Sequence, residues 1–401
     1  MKIAIIGGGA AGFFAAISAK THHPNAKVQI FEKSQKLLAK VKVSGGGRCN
    51  VTNGTSSISE LCAAYPRGGK QLKKAFHQFN TTHTKAWFES RGVELYTQDD
   101  GRVFPKSDNS QSIIDCLMKE VNALGIEIYL GTSITKLAPS DTGIDLHFGS
   151  NVEQFDKVIV ATGGSPKREG LNWLEELGHE IVDPIPSLFT FKLPKDPISE
   201  LMGLSVDNAI VKIQGTKLKS EGPLLITHWG MSGPAILKLS AFGARTLNDL
   251  NYDFKVQVNW AGEQNSEFVG EELSFQFSNH PKKLIGNSRP FKMPERLWHF
   301  LLNKAQLNPA KPWGEVGRKG LNRLVEVLTN DIYHAQGKTT FKEEFVTCGG
   351  VSLGSINMNT MQSKACSSLY FAGEVMDIDA ITGGYNFQAA WTTGFISGQL
   401  G

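Results

Sequence analysis

Lys2-Ile3-Ala4-Ile5-Ile6-Gly7-Gly8-Gly9-Ala10-Ala11-Gly12-Phe13-Phe14 is the stretch that decides how this chain folds. Residues 2–6 form a short apolar run, the pattern of a parallel strand covered on both faces. The glycines that follow fit G-x-G-x-x-G, and residues 13–20 read as a helix. Each glycine then has its own task. Gly7 allows the tight turn, Gly9 lets backbone approach a pyrophosphate, and Gly12 lets helix meet strand. The first amides of the helix, those of Ala10 and Ala11, are aimed at phosphates along the helix dipole. Residues 28–31 give a second strand, which ends at Glu32, 20 residues beyond Gly12. A carboxylate there accepts hydrogen bonds from ribose hydroxyls and repels a 2′-phosphate. Strand, glycines, helix, second strand and acid together predict an α/β dinucleotide-binding unit. The glycines alone would be no more than a turn, and the unit alone does not separate FAD from NAD.

Composition narrows the class further. At 401 residues the chain has room for two or three units. With 40% hydrophobic and 20% charged residues it reads as globular and soluble. Its 42 glycines exceed the average of roughly 7%, and many stand in pairs or triplets, as close backbone approach to a ligand requires. The net charge of +4 is small for this length. Lys70, Lys73 and Lys74 form the densest basic cluster, which reads as a solvated helix face; a nucleic-acid partner would need a longer basic stripe. Cys49, Cys62, Cys116, Cys348 and Cys366 include no C-x-x-C pair, so neither a zinc knuckle nor a dithiol centre is expected, and no metal. Their odd number and scatter suit a reducing cytoplasm. The apolar run 3–19 after Lys2 has the outline of a signal peptide, but it contains a complete glycine signature for which a signal peptide has no use. No other stretch approaches the ~18 apolar residues of a membrane span.

Three further segments separate the cofactors. Ser44-Gly45-Gly46-Gly47-Arg48-Cys49-Asn50-Val51-Thr52-Asn53 offers three glycines for close approach and the donors Arg48, Asn50 and Thr52; read blandly it is a loop of turn residues. Residues 157–160 form an apolar strand leading into Ala161-Thr162-Gly163-Gly164. Residues 369–372 repeat that design and end in Gly373-Glu374. Gly383-Gly384-Tyr385-Asn386 then opens a helix running to about residue 400. An acid beside the ribityl–pyrophosphate chain, followed by a helix whose positive end can face a flavin, suits FAD better than NAD.

With these segments laid out, the chain resembles the BaiN-type NAD(P)/FAD-dependent oxidoreductases, a bacterial group that includes bile-acid dehydro-reductases and an aminoacetone oxidase. The resemblance covers nearly the whole chain. Its motifs are SGGGRCNVTN at 44–53, GRVFP at 101–105, ATGG at 161–164, THWGMSGP at 227–234, TCGGV at 347–351 and FAGEVMDIDAITGGYNFQAAW at 371–391. It implies that Lys33 and Lys40 join the cofactor set and that backbone near Ser133 and Ile134 lies against the adenine. It implies non-covalent FAD, with neither Cys49 nor His228 attached to it. Two positions depart from the family pattern: Leu38 stands where a glycine is expected, and Thr190 where a proline is expected.

The chain is organised as a split domain. Residues 1–188 alternate strands and helices in the order of a doubly wound sheet, with a helix at 111–124 and a strand at 126–130. Residues 189–262 carry short alternating runs that suit antiparallel strands, and residues 263–336 read as helical, with Leu321, Leu324, Val325, Leu328 and Ile332 as a core stripe. The resemblance implies an FAD-binding domain at 1–188 and 343–401, a β-barrel-like insertion at 189–262 and 337–342, and a helical unit at 263–336. Within the insertion, Ser232 is expected to cap a helix that has Pro234 in its first turn. His228 is either a buried structural histidine or a pocket residue. The resemblance places its loop against the flavin, with the 383–386 turn on the other side.

The chemistry expected is hydride movement between flavin N5 and a small organic substrate, with NAD(P)H as a transient reductant or O2 as acceptor. His228 and Tyr385 are the candidate catalytic residues. A reductase would act on a C=C conjugated to a carbonyl; an oxidase would take hydride from an amine. The alternatives are an NAD-only dehydrogenase, a flavin-dependent redox sensor or an RNA-associated flavoprotein. Neither the substrate nor the oligomeric state is legible.

Overall fold

The computed structural model describes residues 1–339 and 346–401. Within them the chain separates into two compact units, residues 1–187 with 346–401, and residues 188–339.

The first unit is built on a seven-stranded sheet. Lys2–Ile6 lies in its interior, parallel to Lys27–Phe31 on one side and Lys157–Val160 on the other. Glu127–Tyr129 and Leu369–Phe371 extend it in parallel, and Gln362–Ser363 and Ile356–Asn357 close one edge antiparallel. Strand residues alternate between two cores, which explains why residues 3–6 are all apolar. Ile3 and Ile5 join a cluster with Phe13, Phe14 and Trp391, while Ala4 and Ile6 join Phe31, Val158 and Phe371 on the opposite face. The helix Ala10–His22 follows the glycines, and the C-terminal helix Tyr385–Ser397 packs on it. The two approach closely because Gly394 and Gly398 carry no side chain: a Cβ on either would come within 2.7 Å of backbone in the first helix. The helix expected at 111–124 is Gln111–Ala123, and the strand expected at 126–130 is Glu127–Tyr129.

The second unit contains a seven-stranded antiparallel sheet in the order Asp331–Gln336, Asp253–Asn259, Ser205–Ile213, Lys219–Thr227, Gly230–Ser232, Thr190–Lys192, Lys338–Thr339. Its first and last strands are consecutive in the chain, joined by Gly337 alone. One continuous segment therefore pairs with both edges of the sheet and curls it into a barrel-like closure. Helices Ser266–Asn279, Glu295–Lys304 and Gly317–Thr329 bury Leu273, Trp298 and Leu324 in the same core as Val211, Val256 and Tyr333 from the strands. Asp331, 2% exposed, joins the two kinds of element. It accepts from Trp260 Nε1 at 2.9 Å, from the Tyr333 hydroxyl and from Lys304 of the second helix.

The expected helical stretch 263–336 stops early. Residues 331–336 are strand, with Asp331, Tyr333 and Ala335 buried and Ile332, 43% exposed, facing out. Leu324 and Leu328 do form the helical stripe, but the period changes to two after Asn330, and Ile332 fits the helix count only by coincidence. The chain's return to the first domain, expected around residue 343, lies outside the described residues.

Candidate functional site

The glycine loop is built as its sequence requires. Gly7 has φ +118°, and a Cβ there would sit 2.3 Å from Ala161 O, so the first turn is pressed against the ATGG turn. A Cβ on Gly12 would lie 1.9 Å from Gly7 O, which makes helix and strand contact possible only without a side chain. A Cβ on Gly9 would meet nothing within 4 Å. Gly9 caps the helix Ala10–His22 with no side-chain hydrogen bond and no acidic residue in the first turn, leaving its positive end for an anion. Glu32 stands directly beyond the second strand: its Oε2 accepts from Gly8 N at 2.8 Å and its Oε1 from Ser34 N at 2.8 Å. Thr132 N donates to Glu32 O, which brings the backbone just before Ile134 beside the acid. Lys33 is exposed.

Other predicted segments converge on this loop. A Cβ on Gly373 would lie 2.7 Å from that of Ala11. A Cβ on Gly164 would lie 2.5 Å from Thr347 Oγ1 and 2.8 Å from Glu374 Oε1. Glu374 accepts from Thr347 N at 2.8 Å and pairs with Lys40 Nζ at 2.6 Å. Lys40 is half exposed, and a pair of that kind is worth ~0–1 kcal/mol, so this lysine can change partner at little cost. Buried Thr347 Oγ1 has no hydrogen-bond partner among the described residues. Thr162 is exposed at the turn beside Ala161, and Gly163 has φ +75°.

The loop 44–53 forms a second cradle. Ser44–Gly47 is a kinked tight turn in which Gly45, Gly46 and Gly47 have left-handed φ of 58°, 69° and 84°. A Cβ on Gly46 or Gly47 would meet nothing within 4 Å, whereas one on Gly45 would strike Phe104 of the GRVFP strand. Arg48 lies over the Phe104 ring at 4.2 Å and 3.7 Å from Asp108. Asn50 is buried and accepts from Val103 N, and the Thr52 hydroxyl is committed to Gln388. Of the three donors read from sequence, only the Arg48 side chain stays partly exposed. Cys49 is fully buried, and burial pushes its thiol up to about 12, an environment opposed to a reactive thiolate. The 383–386 turn meets this cradle: Gly384 has φ +87°, and a Cβ there would lie 2.2 Å from Thr52 O, while Asn53 Nδ2 donates to Gly383 O at 3.1 Å. Asn386 closes the turn through Ala380 N and O. Tyr385 is half-buried, and burial, then Glu60, raises its phenol above the ordinary tyrosine value.

In the second unit, His228 and Trp229 form the tip of a two-residue hairpin, since Thr227 pairs with Gly230. His228 is exposed, which removes the buried structural histidine as its explanation. Its ring meets Trp229 edge-on at 4.0 Å, and Trp229 Nε1 donates to Thr190 Oγ1 at 3.1 Å. Thr190, one of the two departures from the family pattern, thus anchors the aromatic neighbour of His228. Ser232 does not cap the helix Pro234–Phe242. It ends the strand Gly230–Ser232, and the cap is Gly233 at φ +92°, where a Cβ would lie 2.8 Å from Leu225 N and Pro223 O. Pro234 does occupy the first turn.

Residues 1–400 match the model of the HI0933-like protein Rossmann domain. The chain belongs to the HI0933-like family. These are flavoprotein oxidoreductases. The HI0933-like chain is 28% identical over 407 residues to a 3-dehydro-bile acid delta(4,6)-reductase of Clostridium scindens, covering 99% of this chain and 98% of that one. It is also 28% identical over 409 residues to a ribosomal RNA dihydrouridine synthase of Escherichia coli, covering 98% and 96%. A solved 3-ketosteroid delta1-dehydrogenase of Sterolibacterium denitrificans shares the fold at TM-score 0.53 and 13% identity, over 99% of this chain and 98% of that one.

FAD suits the residues present. The open faces of Gly9, Gly46 and Gly47, the carboxylate of Glu32 and the unpartnered Thr347 hydroxyl beside Gly164 are features a flavin dinucleotide can use. Gly8, Gly164, Asn53 and Thr347 escaped the sequence reading of this HI0933-like site. The first three lie inside or beside motifs that were noticed. Thr347 opens the TCGGV motif at 347–351, whose Gly349 and Gly350 have φ of 107° and 134° and lie against backbone at Asp183 and Val375.

Proposed function

We propose that this protein is an FAD-dependent reductase of a carbon–carbon double bond conjugated to a carbonyl in a small organic molecule, with NAD(P)H as reductant. The convergence of the glycine loop, Glu32, the Gly164–Glu374 contact and the 383–386 turn supports the cofactor. The relative named as a bile-acid delta(4,6)-reductase, matched end to end, supports the reaction class. When bound, FAD would supply hydride transfer to and from N5. Gly9 and the first amides of its helix would hold the pyrophosphate, and Glu32 the ribose. The cradle at 44–47 would take the flavin side, held without a covalent bond. The positive end of the helix Tyr385–Ser397, capped by Gly384 without a side chain, would favour negative charge on the pyrimidine edge. Two groups can deliver the proton that completes the reduction. His228 carries an imidazole that can donate a proton, and Tyr385, raised by its burial, keeps its phenolic proton near neutral pH.

The test is a yellow holoprotein reduced anaerobically by NADH or NADPH, then reoxidised by a conjugated enone with loss of the enone absorbance. A flavin reduced by neither nucleotide, or reoxidised by O2 alone, would sink this reading. A second reading takes the C=C from uracil in RNA, because two relatives are named ribosomal RNA dihydrouridine synthases. It predicts RNA affinity that falls steeply with salt.

A further inference from the structure

We propose that the buried ion pair between Arg67 and Asp379, with Ser187, is a latch that positions residues 376–386, and that Arg67 and Asp379 are positioning residues for the cofactor. The inference rests on reading the 383–386 turn as part of a flavin site. That segment runs irregularly from the 3-10 turn Gly373–Val375 to the helix Tyr385–Ser397. It includes Gly383 at φ 129° and Gly384 at φ 87°. Among the described residues its backbone pairs only at isolated bridges, Arg67 with Asp379 and Val351 with Met376, so side chains must fix the rest of its path.

Residues 64–67 grip it at three points. Ala64 O accepts from Ile381 N at 3.0 Å, the Tyr65 hydroxyl donates to Tyr385 O at 2.6 Å, and Arg67 forms a two-pronged pair with Asp379 through Nε and Nη2. Ser187 Oγ adds a third bond to the carboxylate at 2.6 Å. The Asp379 side chain is 0% exposed and that of Arg67 13%. A pair so buried is a poor source of stability, because desolvating both charges offsets most of their attraction, and well-packed apolar residues of similar size often hold a fold as well. What a guanidinium–carboxylate fork supplies in excess of an apolar contact is direction: two parallel bonds fix distance and angle together. Here that direction is imposed on Asp379, four residues before Gly383. Nearby, Asp377 Oδ1 accepts from Gly349 N at 2.9 Å, and Asn386 clasps Ala380 on the far side. The segment is therefore held at both ends, with the Arg67 fork as a two-pronged charged contact between them.

The discriminating variant is the apolar pair Arg67→Met with Asp379→Leu. The readouts are the Tm of the apoprotein, the FAD dissociation constant from fluorescence quenching, and the visible circular dichroism of the bound flavin. A latch predicts an apoprotein Tm close to wild type, an FAD dissociation constant raised by about tenfold or more, and an altered flavin signal. Arg67→Lys, which keeps charge and loses the fork, should fall between. Recovery by the apolar pair of wild-type Tm, affinity and flavin signal together would overturn the proposal and leave the pair as core filler. Should the apolar pair fail to fold, Ser187→Ala decides, since it removes one hydrogen bond to the Asp379 carboxylate. It should raise the dissociation constant about threefold and change the flavin signal, a shift on the scale of one hydrogen bond; no change in either overturns the latch. Neither readout needs a substrate or a reductant. A holoprotein that binds FAD normally and reduces no enone would refute the proposed reaction and leave the latch standing. Failure of the wild type to take up FAD would refute both.

Discussion

Gly9 and Gly12 stand three residues apart in one loop, and alanine at each should fail in opposite ways. At Gly12 the new methyl would be placed 1.9 Å from Gly7 O and 3.5 Å from Ile5 Cγ2. Helix and strand must then separate, and overpacking of this kind costs about 1–3 kcal/mol or more. At Gly9 the methyl meets nothing within 4 Å, and the backbone at φ −94° and ψ −171° accepts any residue. The apoprotein cost is only the poorer helix cap, under ~1 kcal/mol. For a unit of this size each kcal/mol moves Tm by roughly 2–4 °C. Gly12→Ala should therefore lower the apoprotein Tm by several degrees, and Gly9→Ala by little. FAD binding reverses the order of surprise. A methyl at Gly9 enters the space a pyrophosphate would use, and losing one charge-assisted hydrogen bond costs roughly 1.5–3 kcal/mol, or about 10- to 150-fold in affinity. Differential scanning fluorimetry of apoprotein and fluorescence titration with FAD measure the two effects separately. A Gly9→Ala protein that binds FAD like wild type would refute the assignment of this face to the phosphates.

Glu32→Ala should weaken FAD by roughly 1–3 kcal/mol, by loss of the ribose contact and of the acceptor for Gly8 N, as measured by the same titration. His228→Gln, changed at an exposed hairpin tip, should leave Tm and the flavin spectrum intact while slowing the substrate half-reaction by ~10²-fold if the imidazole supplies the proton, a result stopped-flow absorbance would read. His179 gives a pH dependence with a definite sign. It is 2% exposed between Leu174 O at 2.9 Å and Ser363 Oγ at 2.8 Å, and burial lowers its value below 6.5 despite the opposing carbonyl. Its folded form resists protonation, so the stability it contributes is complete above pH 6.5 and is lost as pH falls through the folded value. His179→Gln should flatten the dependence of Tm on pH below that point.

What was legible in the sequence was local. The roles of Gly7, Gly9 and Gly12 follow from backbone problems solved within a few residues, and strand, turn and helix leave a pattern that short. The same holds for the alternation that gives Asp253–Asn259. What was not legible depends on partners far away in the chain. Arg67 and Asp379 are 312 residues apart, and neither residue's neighbours announce the pair. Thr52, placed among the ligand donors by its motif, spends its hydroxyl on Gln388, 336 residues away. Ser232 satisfied every local rule for a helix cap and lost to Gly233, because strand pairing of Leu225 with Ser232 left the cap only the space of a glycine.

Leu38 brings the local and the distant into conflict, and magnitudes decide between them. The family pattern sets a glycine there, and the backbone agrees: φ is 52° and ψ 30°, the left-handed region. A leucine in that region costs roughly 1–2 kcal/mol. Yet its side chain is 1% exposed and packs in the cluster that holds Val41 and Phe13. Removing a buried leucine side chain costs ~3–5 kcal/mol including the cavity left behind. Burial exceeds strain, so Leu38→Gly should destabilise by about 1–4 kcal/mol even though it restores the residue the backbone prefers. Leu38→Ala keeps the strain and loses the packing, so it should be worse than Leu38→Gly by about the left-handed penalty. Chemical denaturation of the three proteins gives that order directly. If Leu38→Gly is the most stable of the three, the side chain contributes nothing to the core, and the departure from glycine has no packing explanation.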